Sequence, residues 1–222
     1  MIIIGICGAS GSGKSTLAEE IRASLDCETV IIGQDCYYID QSYKPFEERV
    51  TTDYDDPGIF DHDELLADMD ALAAGRPITK KGYDYANHVR ADSEELIDPP
   101  DVVILEGIHV FYDERLLERM NLKVYMHVDP DMCLLRRMLR DTKKRGRSIE
   151  SVSEQYQKTV KPWYDNVVSR YIRCADFAVM HGGRNRGAID AISAYITVAH
   201  WAERAEGRKK ERETESEDSV IE

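Results

Sequence analysis

An apolar run, Ile2–Cys7, leads straight into Gly8-Ala9-Ser10-Gly11-Ser12-Gly13-Lys14-Ser15-Thr16, and a helical pattern begins at once behind it. No other stretch of the 222 residues restricts the fold so strongly. The text fits G-x-x-x-x-G-K-[ST] in the strand–turn–helix setting that a phosphate-binding loop requires. Its glycines let the backbone curl around phosphate oxygens, while amide N–H groups and a helix N-terminus supply positive potential. Lys14 adds a mobile full charge, and the Ser15 hydroxyl is a ligand for Mg²⁺. A glycine turn that only joined a strand to a helix would need neither the lysine nor the hydroxyl. The loop is therefore read as a nucleotide triphosphate site, and it says nothing about what receives the phosphate.

A loop of this kind needs a sheet behind it, and the rest of the chain supplies one. Apolar segments of strand length recur at Ile2–Cys7, Thr29–Gly33, Val102–Leu105, Leu122–Val128 and Phe177–Met180. The near-continuous apolar character of the first and third suits strands buried on both faces, so they are expected at the sheet centre. Helical patterns lie between, at Ser12–Leu25, Asp61–Ala74 and Asp131–Lys144, with Pro130 placed to open the last and Gly75 and Gly146 as stops. The expected fold is α/β, three layers around a central parallel sheet. Polar and aromatic alternation around Tyr83-Asp84-Tyr85 predicts a hairpin inserted at 78–98. Residues 1–202 read as one domain, and the charged segment 203–222 as a helical extension fraying into a disordered tail.

Charge narrows the partners. A formal net charge of −13 opposes broad adhesion to nucleic acid or anionic lipid. The five cysteines are scattered without metal-type spacing, and no signal peptide or membrane span is read, so a cytoplasmic protein is expected. Against that acidic background, Arg136, Arg137, Arg140, Lys143, Lys144, Arg145 and Arg147 crowd into 136–147 with only Asp141 among them. Spacings of three and four turn several of these cations to one side of a helix, as a basic lid over phosphates would require.

Two acidic residues stand at strand ends, where open α/β sheets bind ligands: Asp35 after Thr29–Gly33 and Glu106 after Val102–Leu105. One carboxylate can take the proton of an attacking hydroxyl while the other holds a metal ion.

Taken together these texts resemble the uridine kinase (uridine–cytidine kinase) family of phosphoribulokinase-like P-loop kinases. The resemblance covers roughly residues 2–196. It rests on GASGSGKST at 8–16, QDCYY at 34–38, YDDP at 54–57, YDYANHVR at 83–90, ILEGI at 104–108, RRMLRDTKKRGR at 136–147 and QYQKTVKP at 155–162. It implies transfer of the γ-phosphate of ATP, with GTP as the other donor, to the 5′-hydroxyl of uridine or cytidine. Asp35 is then the general base, with Lys14, Arg140 and Arg145 serving the phosphates, and Ser15 and Glu106 serving Mg²⁺. Asp55 corresponds to the aspartate that meets the ribose hydroxyls, supported by Arg137 and Arg147. Tyr83 and His88 meet the pyrimidine edge, Tyr38, Tyr54 and Tyr85 form aromatic walls, and Gln155 adds a further substrate contact. A homotetramer is also implied by the resemblance. The enzyme alternatives are kinases of ribulose 5-phosphate or pantothenate. A regulatory GTP switch has only Asp55-Asp56-Pro57-Gly58, a bare DxxG match, in its favour.

Overall fold

The computed structural model describes residues 1–218. In chain order, β1 is Ile2–Gly8, α1 Lys14–Ala23, β2 Thr29–Gly33, α2 Phe46–Thr51, α3 His62–Ala73, β3 Ile78–Asp84, β4 Val89–Ile97 and β5 Val102–Gly107. There follow α4 Glu114–Leu117, β6 Leu122–His127, α5 Pro130–Lys144, α6 Ile149–Gln155, α7 Lys161–Asn166, β7 Phe177–Met180 and α8 Arg186–Asp218. The main sheet has the order β2-β5-β1-β6-β7 and every pairing in it is parallel. The expected central pair, β1 and β5, are neighbours there, in register from Ile2 opposite Val102 to Cys7 opposite Gly107.

The period-two alternation of β1 explains the layering. Ile2, Ile4 and Ile6 pack with Leu17, Ile21, Ile189, Ile192 and Ile196 beneath α1 and α8. Ile3 and Cys7 face the opposite core, with Leu65, Met69, Phe111 and Tyr125. Each fully buried Ile or Leu contributes about 1.5–3 kcal/mol of transfer free energy, so β1 is anchored from both sides.

Helix ends fall where the sequence chemistry puts them. The Asp61 side chain accepts from the Glu64 amide to start α3, and Pro130 occupies the first turn of α5. The expected first helix begins two residues later than Ser12, at Lys14, because Gly13 takes a left-handed φ of 98° as its N-cap. Glu106, expected just past its strand, is the penultimate residue of β5. Helix α8 runs through the charged segment as far as Asp218; the expectation of a disordered end at 219–222 lies outside the described residues. The stretch 149–174 carries α6, a π-helical turn at Tyr156–Val160, α7 and a 3₁₀ turn at Val168–Cys174, none of which the sequence patterns singled out.

β3 and β4 form their own antiparallel hairpin beside the main sheet. Arg90 on β4 ties it down: its Nε donates to the Tyr38 carbonyl at 2.8 Å, and its two terminal nitrogens grip the Glu64 carboxylate of α3. The hairpin thereby stands over the C-terminal ends of β1, β2 and β5.

Candidate active site

The floor of the site is the loop between β1 and α1. Gly11 has φ 87°, and a Cβ on it would lie 2.3 Å from the Cys133 carbonyl oxygen at the start of α5, so the loop packs there as bare backbone. Gly13 is packed as closely from behind: a Cβ on Gly183 would lie 2.3 Å from the Gly13 carbonyl. The first turn of α1 has no side-chain cap and no acidic residue. Its amide donors are therefore free for an anion. Lys14 is buried, with Nζ donating to the carbonyls of Gly8 and Ala9 at 3.0 Å each. The Ser15 hydroxyl donates to Glu106 Oε1 at 2.7 Å.

Three carboxylates look across this floor. Asp35 sits in a 3₁₀ turn, Gln34–Tyr37, directly after β2, and accepts a 2.6 Å hydrogen bond from the Tyr85 hydroxyl of the hairpin. Burial pushes the Glu106 carboxyl above its ordinary value, with Lys14 and Ser15 pulling it back. Burial likewise pushes Asp55 up, opposed by Arg137 and by the Thr159 hydroxyl, which donates to Oδ2 at 2.8 Å. Asp55 makes no ion pair within 4 Å with the two arginines expected to support it. Arg137 instead donates to Ser10 Oγ at 2.9 Å and to Gln155 Oε1 at 2.9 Å, and Arg147 donates to the same Gln155 oxygen.

The main chain of Asp55 is fixed by a residue that sequence reasoning missed. His109 is fully buried; its Nε2 lies 2.6 Å from the Asp55 carbonyl and its Nδ1 lies 2.9 Å from the Tyr171 hydroxyl. A carbonyl only accepts, so Nε2 carries the proton and Nδ1 accepts from Tyr171. Burial drives His109 down to about 4, so the ring is neutral at pH 7.

Aromatic rings wall the far end. Tyr38 stacks on Phe60 with centroids 4.5 Å apart and meets Tyr83 at 4.7 Å. Tyr54 stacks on His88 at 5.0 Å. His88 holds a left-handed φ of 54° at the hairpin tip, where Asp84 Oδ1 accepts from the amides of Ala86 and Asn87. Burial, then the charges of Arg147 and Arg49, hold His88 below its ordinary value and keep it neutral. Arg145 lies over the Tyr85 ring with its guanidinium carbon 3.9 Å from the centroid.

These walls enclose one cleft of about 1050 Å³, measured out to its solvent mouth. Its lining includes Lys14, Ser15, Asp35, Tyr38, Tyr54, Asp55, Tyr83, Tyr85, His88, Glu106, Arg137, Arg140, Arg145, Arg147 and Gln155, so side chains drawn from all seven quoted texts meet in one place. Ser10 joins them from the loop, whereas Gly8 at the end of β1, Ala9, Gly11, Ser12 and Gly13 of the turn, and Thr16 on α1 do not line the cleft. Phe60, Thr159 and His109 act behind it; Thr159 lies within the text at 155–162, where the resemblance gives it no role, and no local sequence pattern marks the other two.

Residues 3–187 match the model of the Phosphoribulokinase / Uridine kinase family. The chain belongs to this family. A uridine kinase of Bacillus licheniformis is 47% identical over 196 residues, 88% of this chain and 93% of that protein. A uridine kinase of Halalkalibacterium halodurans is 45% identical over the same shares of the two chains. The phosphoribulokinase of Rhodobacter spheroides is similar in fold, with a TM-score of 0.53 at 14% identity over 83% of this chain and 72% of that one. Membership of the family accounts for the parallel sheet with the phosphate loop at its centre.

Proposed function

We propose that the protein transfers the γ-phosphoryl group of ATP to the 5′-hydroxyl of uridine or cytidine, giving UMP or CMP. One observation carries this reading: Asp35 stands between a phosphate cradle and an aromatic-walled pocket within one cleft. Relatives named uridine kinase, 45–47% identical over most of the chain, support it.

The residues divide the work. Lys14 and the α1 amides hold the donor phosphates, and Arg140 and Arg145 face charge that spreads over the transferring group. Asp35 accepts the proton of the attacking hydroxyl once the Tyr85 hydroxyl yields its place. Asp55 suits hydroxyl donors of a ribose, and a buried carboxylate there opposes the phosphate of an acceptor such as ribulose 5-phosphate. Tyr38, Tyr54, Tyr83 and neutral His88 offer flat apolar surface with a hydrogen-bonding group at the edge, which suits a single-ring base. Gln155 holds Arg137 and Arg147 against the sugar side.

The Ser15 hydroxyl and Glu106 carboxylate, oxygens 2.7 Å apart, form the donor set of a hard divalent cation, so the residues present fit Mg²⁺. When bound there, such an ion neutralises phosphate charge. GTP as the other donor and assembly as a homotetramer belong to the same proposal on the family resemblance, and a cytoplasmic location belongs to it on the scattered free cysteines. No helix among the described residues is long and apolar enough to cross a membrane.

The test is ADP release measured in parallel with uridine, cytidine, ribulose 5-phosphate and pantothenate. Turnover with the two nucleosides alone is expected. Turnover with either of the other acceptors, or equal release with none, would overturn the reading.

A further inference from the structure

Asp141, the lone acid of the basic segment, is fully buried. Its Oδ1 accepts from Arg140 Nε at 2.8 Å and lies 3.5 Å from Arg145 Nη1. Its Oδ2 lies 3.6 Å from Arg137 Nε and 3.8 Å from Arg147 Nη1. Four guanidiniums therefore converge on one carboxylate, and all four line the cleft. Each also has nitrogens or a face turned elsewhere: Arg137 and Arg140 towards Ser10 of the phosphate loop, Arg147 towards Gln155, and Arg145 over Tyr85.

We propose that the Asp141 side chain is the positioning residue of the lid, holding Arg137, Arg140, Arg145 and Arg147 as one preassembled fork, with Arg140 and Arg145 set for the donor phosphates and Arg137 and Arg147 for the acceptor sugar. The inference rests on the phosphoryl-transfer reading of the cleft and adds a residue to it. Four like charges with no central anion would splay towards water, and the bound donor and acceptor would then have to gather them one at a time. A preorganised set of donors avoids that reorganisation at the moment of reaction.

Two further observations support this role. Burial alone would push Asp141 up, but the hydrogen bond and charge of Arg140, with Arg137 and Arg145, more than offset it and hold the carboxyl below its ordinary value. The group stays ionised. Second, Asp141 Oδ2 and Arg137 Nε are each buried without a hydrogen bond. They face one another at 3.6 Å, so a shift of less than about 1 Å would bond them. That pair leaves the fork room to tighten.

The main chain of Asp141 offers a clean experiment. Its carbonyl accepts from the amides of Arg145 and Arg147 at 3.2 and 3.1 Å, closing the turn through Gly146, whose φ is 64°. Asp141→Asn keeps these bonds and the side-chain shape, removes the charge and turns one acceptor oxygen into an NH2 donor. If the carboxylate were mere counter-charge, its loss would make the cleft more positive, tightening ATP binding and leaving kcat unchanged. Positioning predicts the opposite split: kcat down by about tenfold to a hundredfold, with ATP affinity changed by less than about threefold as the two effects offset.

A double-mutant cycle with Arg140→Lys, read both in kcat with uridine and in ATP affinity titrated without acceptor, decides whether Asp141 acts through the arginine. The Arg140→Lys effect should largely vanish in the Asp141→Asn background. Unchanged kcat in the folded Asn variant, or two effects that multiply independently, would overturn the proposal. Should circular dichroism show that the Asn variant does not fold, Asp141→Glu keeps the charge on a longer stem; reduced kcat with retained ATP binding is expected, and wild-type kcat overturns. If the wild type binds ATP but phosphorylates no nucleoside, the functional reading fails separately, and the cycle in ATP affinity still judges Asp141.

Discussion

The phosphate end of the cleft and its acceptor end are built from different parts of the chain. The cradle of the phosphate end is one continuous segment, residues 8–16, whose working groups are mostly backbone amides shaped by glycine. The acceptor end draws side chains from the segment after β2, the loop before α3, the β3–β4 hairpin and the α6 region. A backbone-built cradle has little to vary, because almost any side chain added to it strikes a neighbour. A wall of side chains can be altered one member at a time. Donor binding and acceptor choice should therefore separate under mutation.

The largest effect is expected where the two ends meet. Asp35→Asn should cut kcat with uridine by at least about a hundredfold, as loss of a general base does, while ATP affinity measured by titration stays within a few-fold. Weakened ATP binding of the same size as the kcat loss would show that Asp35 belongs to the cradle, and the division would fail. Next comes the cradle itself. Gly11→Ala combines a left-handed φ of 87° with a clash at the Cys133 carbonyl. It should cost about 2–3 kcal/mol, through strain in the loop and displacement of α5. That loss should appear in ATP binding and, equally, with uridine or cytidine as acceptor. The smallest effect belongs to the wall: His88→Ala should raise the nucleoside KM about tenfold, near the 1.4 kcal/mol of one buried hydrogen bond, with the ATP KM unmoved. Equal changes in both constants would break the contrast.

The same contrast explains what could be read in advance. The cradle was legible because a local motif encodes a local backbone shape, and the five strands followed from apolar runs of the right length. The acceptor wall was reached through family resemblance, since nothing in Tyr38, Tyr54 or His88 alone announces that they meet. Asp141 was visible only as the single acid in a basic stretch. Its role depends on helical geometry turning Arg137, Arg140 and the following turn towards one point. Thr159 sits on a π-helical turn, where no helical periodicity would have pointed it at Asp55. His109 reaches the Asp55 carbonyl and Tyr171 across large sequence separations, which residue spacing cannot express. Arg137 and Arg147, which the resemblance sets in support of Asp55 at the ribose, reach Gln155, Ser10 and Asp141 and make no ion pair with Asp55 itself.

The contact of Gly183 with Gly13 bears on how the protein comes into being. The loop that grips triphosphate stands ahead of its supports in the chain: its strand is flanked by residues 102–107 and 122–127, and its rear support comes only with Gly183. A nascent chain halted before that glycine carries the whole motif and no finished grip, so ATP affinity should be gained only once Gly183 has been made and has packed against Gly13.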